Sequence, residues 1–220
     1  MSITLEMTQA CYEAAKLIYP NKNEITTKAK AIENELGMNF NSAKDYISSF
    51  FLMMDDERLL HAMSEEASNL YLRNIFTDFG IEKLISALFS LQRYLNFDSQ
   101  NHPGLQTIID DFFDIYIFTK LKVGEIASHI LLYMLNLDSF PEDEIKNLQD
   151  ENYCNENFNL YLPVLKKYNN SNVYRYYSPK MKLVTYKNDT FLLTNDWYED
   201  KNRHNLEPLC KWISTMKYKI

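Results

Sequence analysis

The sequence predicts a mainly α-helical fold, a multi-helix bundle that ends in a small β-hairpin plus a helix (α+β). Through about the first 150 residues, apolar side chains recur at helical spacing between short breaks that contain proline, glycine or polar residues. After about residue 165, β-forming residues alternate instead. The 220-residue chain is 46% hydrophobic and holds only 4 Gly, which is compatible with a sizeable core. We therefore predict a helical domain over 1–150, with a small basic hairpin and helix region over 151–220 packed on it.

The first three helices are identified by their apolar faces and their ends. The segment MTQACYEAAKLIY forms a helix that ends before Pro20, and NKNEITTKAKAIENEL forms a mostly polar helix that stops at Gly37. The third helix, NSAKDYISSFFLMM, begins at a cap provided by Asn41 or Ser42. Its aromatic and sulfur-rich end is expected in the core. Together the second and third helices resemble a helix-turn-helix.

The remaining elements follow the same logic. SEEASNLYLRNIFTDFG is a helix that stops at Gly80, and another begins at once with IEKLISALFSLQRYLNF. LQTIIDDFFDIYIFTKL and EIASHILLYMLNL are apolar helices, and FPEDEIKNLQ begins a short one. VYRYYS, KLVTY and TFLLT alternate like strands, with Lys187-Asn188-Asp189 as a hairpin turn. NLEPLCKWISTMK is a final amphipathic helix.

Several function classes lose support from composition. No GxGxxG or GxxxxGK[ST] string occurs, so we predict no nucleotide cofactor. The 3 Cys are far apart and the 4 His form no HExxH, so we predict no metal and no disulfide framework. The most apolar segment is too short to span a bilayer, and the N-terminus lacks a basic start and a long apolar run. We expect a cytoplasmic protein with no membrane partner.

Charge is distributed unevenly along the chain. The net charge is −7, yet residues 151–220 hold 11 basic and 7 acidic groups. The segment KKYNNSNVYRYYSPKMKLVTYK interleaves six basic residues with five tyrosines, a composition that suits phosphates and unstacked bases. The alternative is a tyrosine-rich hairpin whose lysines solvate an edge strand. The candidate nucleic-acid contacts in this segment are Lys166, Lys167, Arg175, Tyr176, Lys180 and Lys182.

A second candidate contact set lies at the start of the third helix. In a helix-turn-helix, Asn39, Asn41, Ser42 and Lys44 would face the major groove, since asparagine can pair with adenine. Lys22, Lys28 and Lys30 would lie near phosphates, whereas Asp45 would repel them. The alternative is that Asn41 and Ser42 only cap the helix.

The acidic middle of the chain has two interpretations. Residues 51–150 hold 17 acidic and 7 basic groups, and such helices commonly present solvated faces. The other interpretation is a DNA-mimicking or partner-binding surface that inhibits a nuclease defence system, such as an anti-CRISPR or anti-restriction protein would. The residues of that surface are Asp55, Asp56, Glu57, Glu65, Glu66, Asp110, Asp111 and Asp114.

Residues of about 10–115 resemble the N-terminal helical module of HNH-type restriction endonucleases, including enzymes specific for modified cytosine. The likeness is carried by Tyr19-Pro20, NEIT from Asn23, GMN from Gly37, SAKDYI from Ser42, FxxMM from Phe50, YLxxIxxDxG from Tyr71 and HPGL from His102. It implies a module that contributes DNA recognition ahead of a nuclease domain. Asp55-Asp56-Glu57 departs from the family pattern, in which we expect a glycine and fewer acids.

The nuclease itself is not recognisable in this chain. The only HNH-like string, Arg203-His204-Asn205, lacks the second histidine that such a site needs to hold a metal and activate water. No ExK or DxK occurs on the strands predicted after residue 170. We identify no catalytic residues, and an unrecognised nuclease site is the weakest of three hypotheses. The leading one is a non-catalytic DNA-associated protein of a restriction or mobile-element system, and the second is an interaction protein whose partner is a nuclease.

Overall fold

The computed structural model describes residues 2–61, 63–98, 102–170, 173–178 and 182–220. It is mainly α-helical with one small antiparallel sheet, which confirms the predicted fold class. The α-helices are α1 (Leu5–Ile18), α2 (Ile25–Leu36), α3 (Phe40–Met54), α4 (Glu65–Phe97), α5 (Pro103–Phe112), α6 (Val123–Ile126), α7 (Leu132–Leu135), α8 (Glu142–Asn147), α9 (Glu151–Phe158) and α10 (Leu206–Met216). The strands are β1 (Leu165–Lys167), β2 (Leu183–Tyr186) and β3 (Asp189–Leu193). No described helix is both long enough and apolar enough to cross a membrane.

The chain divides into two compact units, Met1–Asp111 (unit 1) and Phe112–Ile220 (unit 2). The division falls at the end of α5. The boundary predicted from the sequence near residue 150 instead falls within unit 2, between α8 and α9. Unit 2 therefore contains the later helices as well as the sheet.

In unit 1, the helices α1, α2 and α3 contact one another, and α3 also packs against α4. The centre of the unit is aromatic. The ring centroid of Tyr12 lies 5.3 Å from that of Phe50 and 5.3 Å from that of Tyr71, both edge-on, the geometry that aromatic pairs prefer. Phe51, Met53 and Met54 are buried beside them. The prediction that the end of α3 lies in the core is confirmed.

The turn between α2 and α3 spans Gly37 to Asn39. Gly37 has a φ of +69°, the left-handed conformation that ends many helices, and its amide donates to the carbonyl of Glu33 at 2.9 Å. Asn39 is the N-cap of α3, because its Oδ1 accepts from the amides of Asn41 at 3.0 Å and Ser42 at 3.3 Å. The prediction that Asn41 or Ser42 caps α3 is wrong. The helix begins at Phe40, so both residues lie within its first turn.

The helix α4 is interrupted at Gly80, where φ is +79° and ψ is −170°. These angles are far from helical values and lie in a region that is almost exclusive to glycine. The prediction that one helix stops at Gly80 and another begins at once is confirmed. Close to this break, the Lys83 ammonium donates to the Met54 carbonyl at the end of α3, at 2.7 Å.

In unit 2, the three strands follow the order β1-β3-β2, and both pairings are antiparallel. Lys187 and Asn188 form a two-residue turn between β2 and β3, with Lys187 at a φ of +52°, as hairpin turns require. The predicted hairpin is confirmed. The predicted strand VYRYYS is wrong: residues 173–178 form a turn, and only an isolated bridge joins Tyr176 to Thr194. The short strand β1 was not predicted.

Both outer strands of the sheet meet other parts of unit 2 along their free edges. On β2, the Thr185 amide donates to Oδ1 of Asn136 at 2.9 Å. On β1, the Leu165 amide donates to the carbonyl of Leu148 at 2.8 Å. These bonds occupy backbone donors that the neighbouring strand β3 does not use.

Candidate nucleic-acid interface

The helix-turn-helix-like segment of unit 1 consists of α2, the turn Gly37–Asn39 and α3. Asn41 and Lys44 are exposed near the start of α3, whereas Ser42 is half-buried. Asn39 is exposed, but its side-chain oxygen is occupied by the capping bonds. Of the four predicted contacts, Asn41 and Lys44 are thus the side chains most available to a ligand. Asp45, beside them, is also exposed.

The lysines that were expected near phosphates have different surroundings. The Lys22 ammonium lies 2.7 Å from Oδ2 of Asp55, and this hydrogen bond raises the Lys22 pKa. Lys30 pairs with Glu33 on the same helix. Within the described residues, Lys28 and Lys44 have no carboxylate partner. These two are therefore the cations of the segment that a phosphate would meet unpaired.

The lysines of the basic, tyrosine-rich segment in unit 2 are mostly engaged. Lys167 lies 2.6 Å from Oδ1 of Asp189, and the Lys182 ammonium donates to the Ser128 carbonyl at 2.9 Å. Lys166 is exposed. Among these three lysines, Lys166 is the one whose ammonium is most open to a phosphate.

Two further predicted contacts of this segment serve the fold. Arg175 pairs with the buried carboxylate of Asp196 at 2.5 Å, which raises the Arg175 pKa. Tyr176 is buried, and its hydroxyl donates to the Pro163 carbonyl at 2.9 Å. Tyr176 also lines a shallow pocket with Lys166, whose ammonium lies 5.9 Å from the Tyr176 ring centroid. Its contact with a base stays a prediction. The remaining candidate, Lys180, lies outside the described residues.

The first three acids of the predicted protein-binding surface pair with two basic side chains of unit 1. Asp55 pairs with Lys22, which also lies 3.4 Å from Oε1 of Glu57. The Arg93 guanidinium pairs with the Asp56 carboxylate and donates to the Asp56 carbonyl at 2.6 Å. These acids fix the chain that follows α3. They do not form the unpaired negative surface that the interaction hypothesis expects.

The other acids of that predicted surface are less constrained. Asp110 is half-buried and accepts a hydrogen bond from Gln106 at 2.9 Å. Exposed carboxylates from this set are Glu65, Glu66 and Asp111 in unit 1, and Asp114 in unit 2. Glu65 and Glu66 occupy the first turn of α4, where the helix dipole favours negative charge without any partner.

Charge differs between the two units. Unit 1 contains 9 of the 23 Lys and Arg residues and 16 of the 30 Asp and Glu residues, so its formal charge is −7. Unit 2 has equal numbers of the two kinds and is formally neutral. Counted along the sequence, residues 151–220 had indicated a basic C-terminal region. Grouped by compact unit, the negative charge instead belongs to the unit that holds the helix-turn-helix-like segment.

Sequence reasoning missed a cleft of about 540 Å³ in unit 2, lined by residues of α8, α9 and α10. Its inner wall carries Glu144, Tyr153 and Trp212, which hydrogen bonds connect. Glu144 and Tyr153 are 9 residues apart, Trp212 follows 59 residues after Tyr153, and the three belong to no known motif. No local sequence pattern predicts that their side chains contact one another. Within the described ranges, no group of three or more His, Cys, Asp and Glu side chains is arranged to hold a metal ion.

No protein-family model, curated protein or solved structure matches the chain. The likeness of residues 10–115 to a restriction-endonuclease module therefore stays a prediction. The architecture defines a mainly α-helical protein of two compact units. The first unit contains a helix-turn-helix-like segment, and the second contains a three-stranded sheet and a polar cleft.

Proposed function

We propose that the protein is a non-catalytic, DNA-associated protein of a restriction or mobile-element system, and that α3 contacts duplex DNA. The observation that carries the proposal is the three-residue turn Gly37–Asn39. It joins two helices that pack on a third, the arrangement used by helix-turn-helix proteins. It leaves Asn41 and Lys44 exposed at the start of α3, while the later part of the helix is largely buried.

The exposed end of α3 has suitable chemistry for a major groove. An asparagine side chain can donate to and accept from one adenine, and a lysine can approach a phosphate or the acceptors of guanine. Because the later part of α3 is largely buried, only its N-terminal turns are available for such contacts. The likeness of this region to restriction-enzyme modules supports the same assignment.

Electrostatics limit the strength of this contact. Unit 1 is acidic as a whole, and we expect Lys28 and Lys44 to be the lysines that neutralise phosphates. With about two phosphates neutralised, the logarithm of the binding constant should fall with the logarithm of salt concentration with a slope of about −2. Such binding is weak. We expect it at low ionic strength, or in a complex in which another chain supplies more positive charge.

Fluorescence anisotropy with a labelled duplex, measured over a salt series, tests the proposal. The Lys44→Glu variant should bind more weakly and lower the magnitude of the salt slope by about 1. Lys201→Glu is the matched control, because Lys201 is an exposed lysine of unit 2 and the charge change is the same. An absence of binding at low salt, or an equal loss in both variants, would refute the role of α3.

The second candidate function is an interaction protein whose partner is a nuclease of a defence system. The formal charge of −7 in unit 1, with exposed Glu65 and Glu66 on α4, favours it. Size-exclusion chromatography with candidate nucleases would detect a stable complex. A complex lost in the Glu65→Lys, Glu66→Lys double variant, together with no DNA affinity, would select this function over the first.

A further inference from the structure

The cleft in unit 2 contains a carboxylate that is held from one side only. Glu144 is 9% exposed, so the side chain is nine-tenths buried, and it lines the cleft. The Tyr153 hydroxyl donates to its Oε2 at 2.8 Å, and the Trp212 indole N–H donates to the Tyr153 oxygen at 3.2 Å. The chain of bonds runs from Trp212 through Tyr153 and ends on the Glu144 carboxylate.

Both donors in this chain are neutral. Burial, and to a lesser extent the bond to Glu144, raise the pKa of Tyr153 to about 12, although the bond from Trp212 opposes this. The hydroxyl therefore keeps its proton at neutral pH and remains a donor. A neutral donor orients the carboxylate, but it leaves the negative charge of Glu144 without a counter-charge.

A neighbouring acid on the same helix, Glu142, does have basic partners. Glu142 pairs with Lys146 at 3.1 Å and with Lys187. Across the described part of the chain, no basic side chain pairs with Glu144, and its Oε1 accepts no hydrogen bond. Because Oε1 is not among the buried unpaired atoms of the described residues, it keeps accessible surface, and a cation that entered the cleft would meet a carboxylate already oriented by Tyr153.

The remaining walls of the cleft suit an aliphatic cation. Trp212 is mostly buried against Phe140 and Phe158, but part of its indole ring lines the cleft beside Glu144. An indole ring attracts cations and covers aliphatic chains. Glu156 and Glu207 add exposed carboxylates. Two lysines, Lys211 and Lys219, also border the cleft, but they are exposed and their long side chains can extend into water. The buried member of the charged set is the carboxylate of Glu144.

We propose that this cleft binds a guanidinium or ammonium group carried on an aliphatic chain, with its charge paired to Glu144 and its chain against Trp212. The volume of about 540 Å³ is within the range of small-ligand sites. The same chemistry is offered by a free diamine and by a basic side chain of a peptide. This site lies in unit 2 and does not depend on the proposed DNA contact of unit 1.

The indole N–H of Trp212 reports directly on this site in a heteronuclear NMR spectrum of the full chain. The protein has 2 Trp. The second one, Trp197, donates its indole N–H to the Thr194 carbonyl at 3.0 Å, outside the cleft lining, and serves as an internal control. Titration with N-acetyl-arginine methylamide should shift the Trp212 signal to saturation and leave the Trp197 signal in place.

A neutral ligand of the same shape tests whether binding depends on the positive charge of the ligand. N-acetyl-citrulline methylamide replaces the guanidinium with a neutral urea and should give no saturable shift. Agmatine separates the two sources: tighter binding of agmatine indicates a free amine, and tighter binding of the arginine derivative indicates a peptide side chain. Either order supports the site.

Two matched variants locate the charge that the ligand meets. Glu144→Gln keeps the shape of the side chain and should weaken arginine-derivative binding roughly tenfold or more, since it replaces a charged hydrogen bond with a neutral one. Glu142→Gln, on the same helix but outside the cleft lining, should leave binding unchanged. If Glu144→Gln disturbs the rest of the spectrum, Glu207→Gln on the exposed rim provides the second test, with a loss of a few-fold.

The proposal is overturned by any of three results. These are no shift of the Trp212 signal with either cation, equal binding of the citrulline and arginine derivatives, or unchanged affinity in a folded Glu144→Gln variant.

Discussion

Replacing Gly80 with alanine should destabilise the protein although the site has ample space. The backbone of Gly80 has a φ of +79° and a ψ of −170°, a region in which residues with a Cβ are strained by on the order of 1–3 kcal/mol. A Cβ built there would meet no heavy atom within 4 Å. No steric contact adds to the cost, so the whole change in the free energy of unfolding, about 1–3 kcal/mol, comes from the backbone.

Gly124 provides the matched control. It lies in the helix α6 outside the left-handed region, and an added Cβ would be 3.9 Å from the Tyr177 hydroxyl, an ordinary contact. Gly124→Ala should therefore stabilise the protein by about 0.4–1 kcal/mol, because alanine narrows the unfolded ensemble. The two identical substitutions are expected to act in opposite directions.

Urea unfolding followed by far-UV circular dichroism measures both effects. Trp197 and Trp212 both belong to unit 2, so tryptophan fluorescence reports on that unit separately. The Gly80→Ala transition should move to lower urea in the dichroism signal. An unchanged or higher midpoint for Gly80→Ala would show that the break in α4 does not depend on the conformational freedom of glycine.

Two further predictions concern a helix cap and an ion pair. Asn39→Ala should lower the free energy of unfolding by about 1 kcal/mol, because two amides at the start of α3 lose their acceptor. Asn39→Asp should keep most of that stability, and equal loss in both variants would contradict the capping role. Hydrogen bonds from Lys187 and a second lysine lower the pKa of Glu142 from 4.5 to about 2. Because the folded-state pKa is depressed, this pair stabilises the fold above pH 4.5 and the effect is lost as pH falls toward 2. An NMR titration of the Glu142 carboxyl in Lys187→Met should show a higher pKa, and an unchanged value would argue against the pair.

The parts of the fold that the sequence predicted correctly depend on local chemistry. Gly37 and Gly80 interrupt helices because each adopts a positive φ that glycine tolerates best. The hairpin turn at Lys187 and Asn188 follows from alternation on both sides of a polar pair. The predicted cap of α3 lies two or three residues after the observed one, because several of the polar residues in this stretch can each cap a helix. Only the geometry selects Asn39.

The parts of the candidate sites that could not be predicted from the sequence depend on contacts between residues that are distant in the chain. Arg175 reads as a free cation in a basic segment, yet it pairs with Asp196, 21 residues later. Asp55 reads as part of an acidic surface, but its carboxylate pairs with Lys22. Lys22 precedes α2 in the sequence, whereas Asp55 follows α3. Composition records how many charges a segment has. It does not record which of them already have partners.

The hydrogen bonds at the two outer strands determine how the sheet can behave toward other chains. An exposed strand edge invites an extended segment of another molecule to pair with it, and repeated pairing leads to aggregation. Here the carboxamide oxygen of Asn136 takes the Thr185 amide, and the carbonyl of Leu148 takes the Leu165 amide. A strand that added to either edge would have to displace the acceptor at that edge in order to use the same backbone donor. Asn136, an exposed residue with no part in either proposed site, thus occupies a backbone donor at the β2 edge that an added strand would otherwise use.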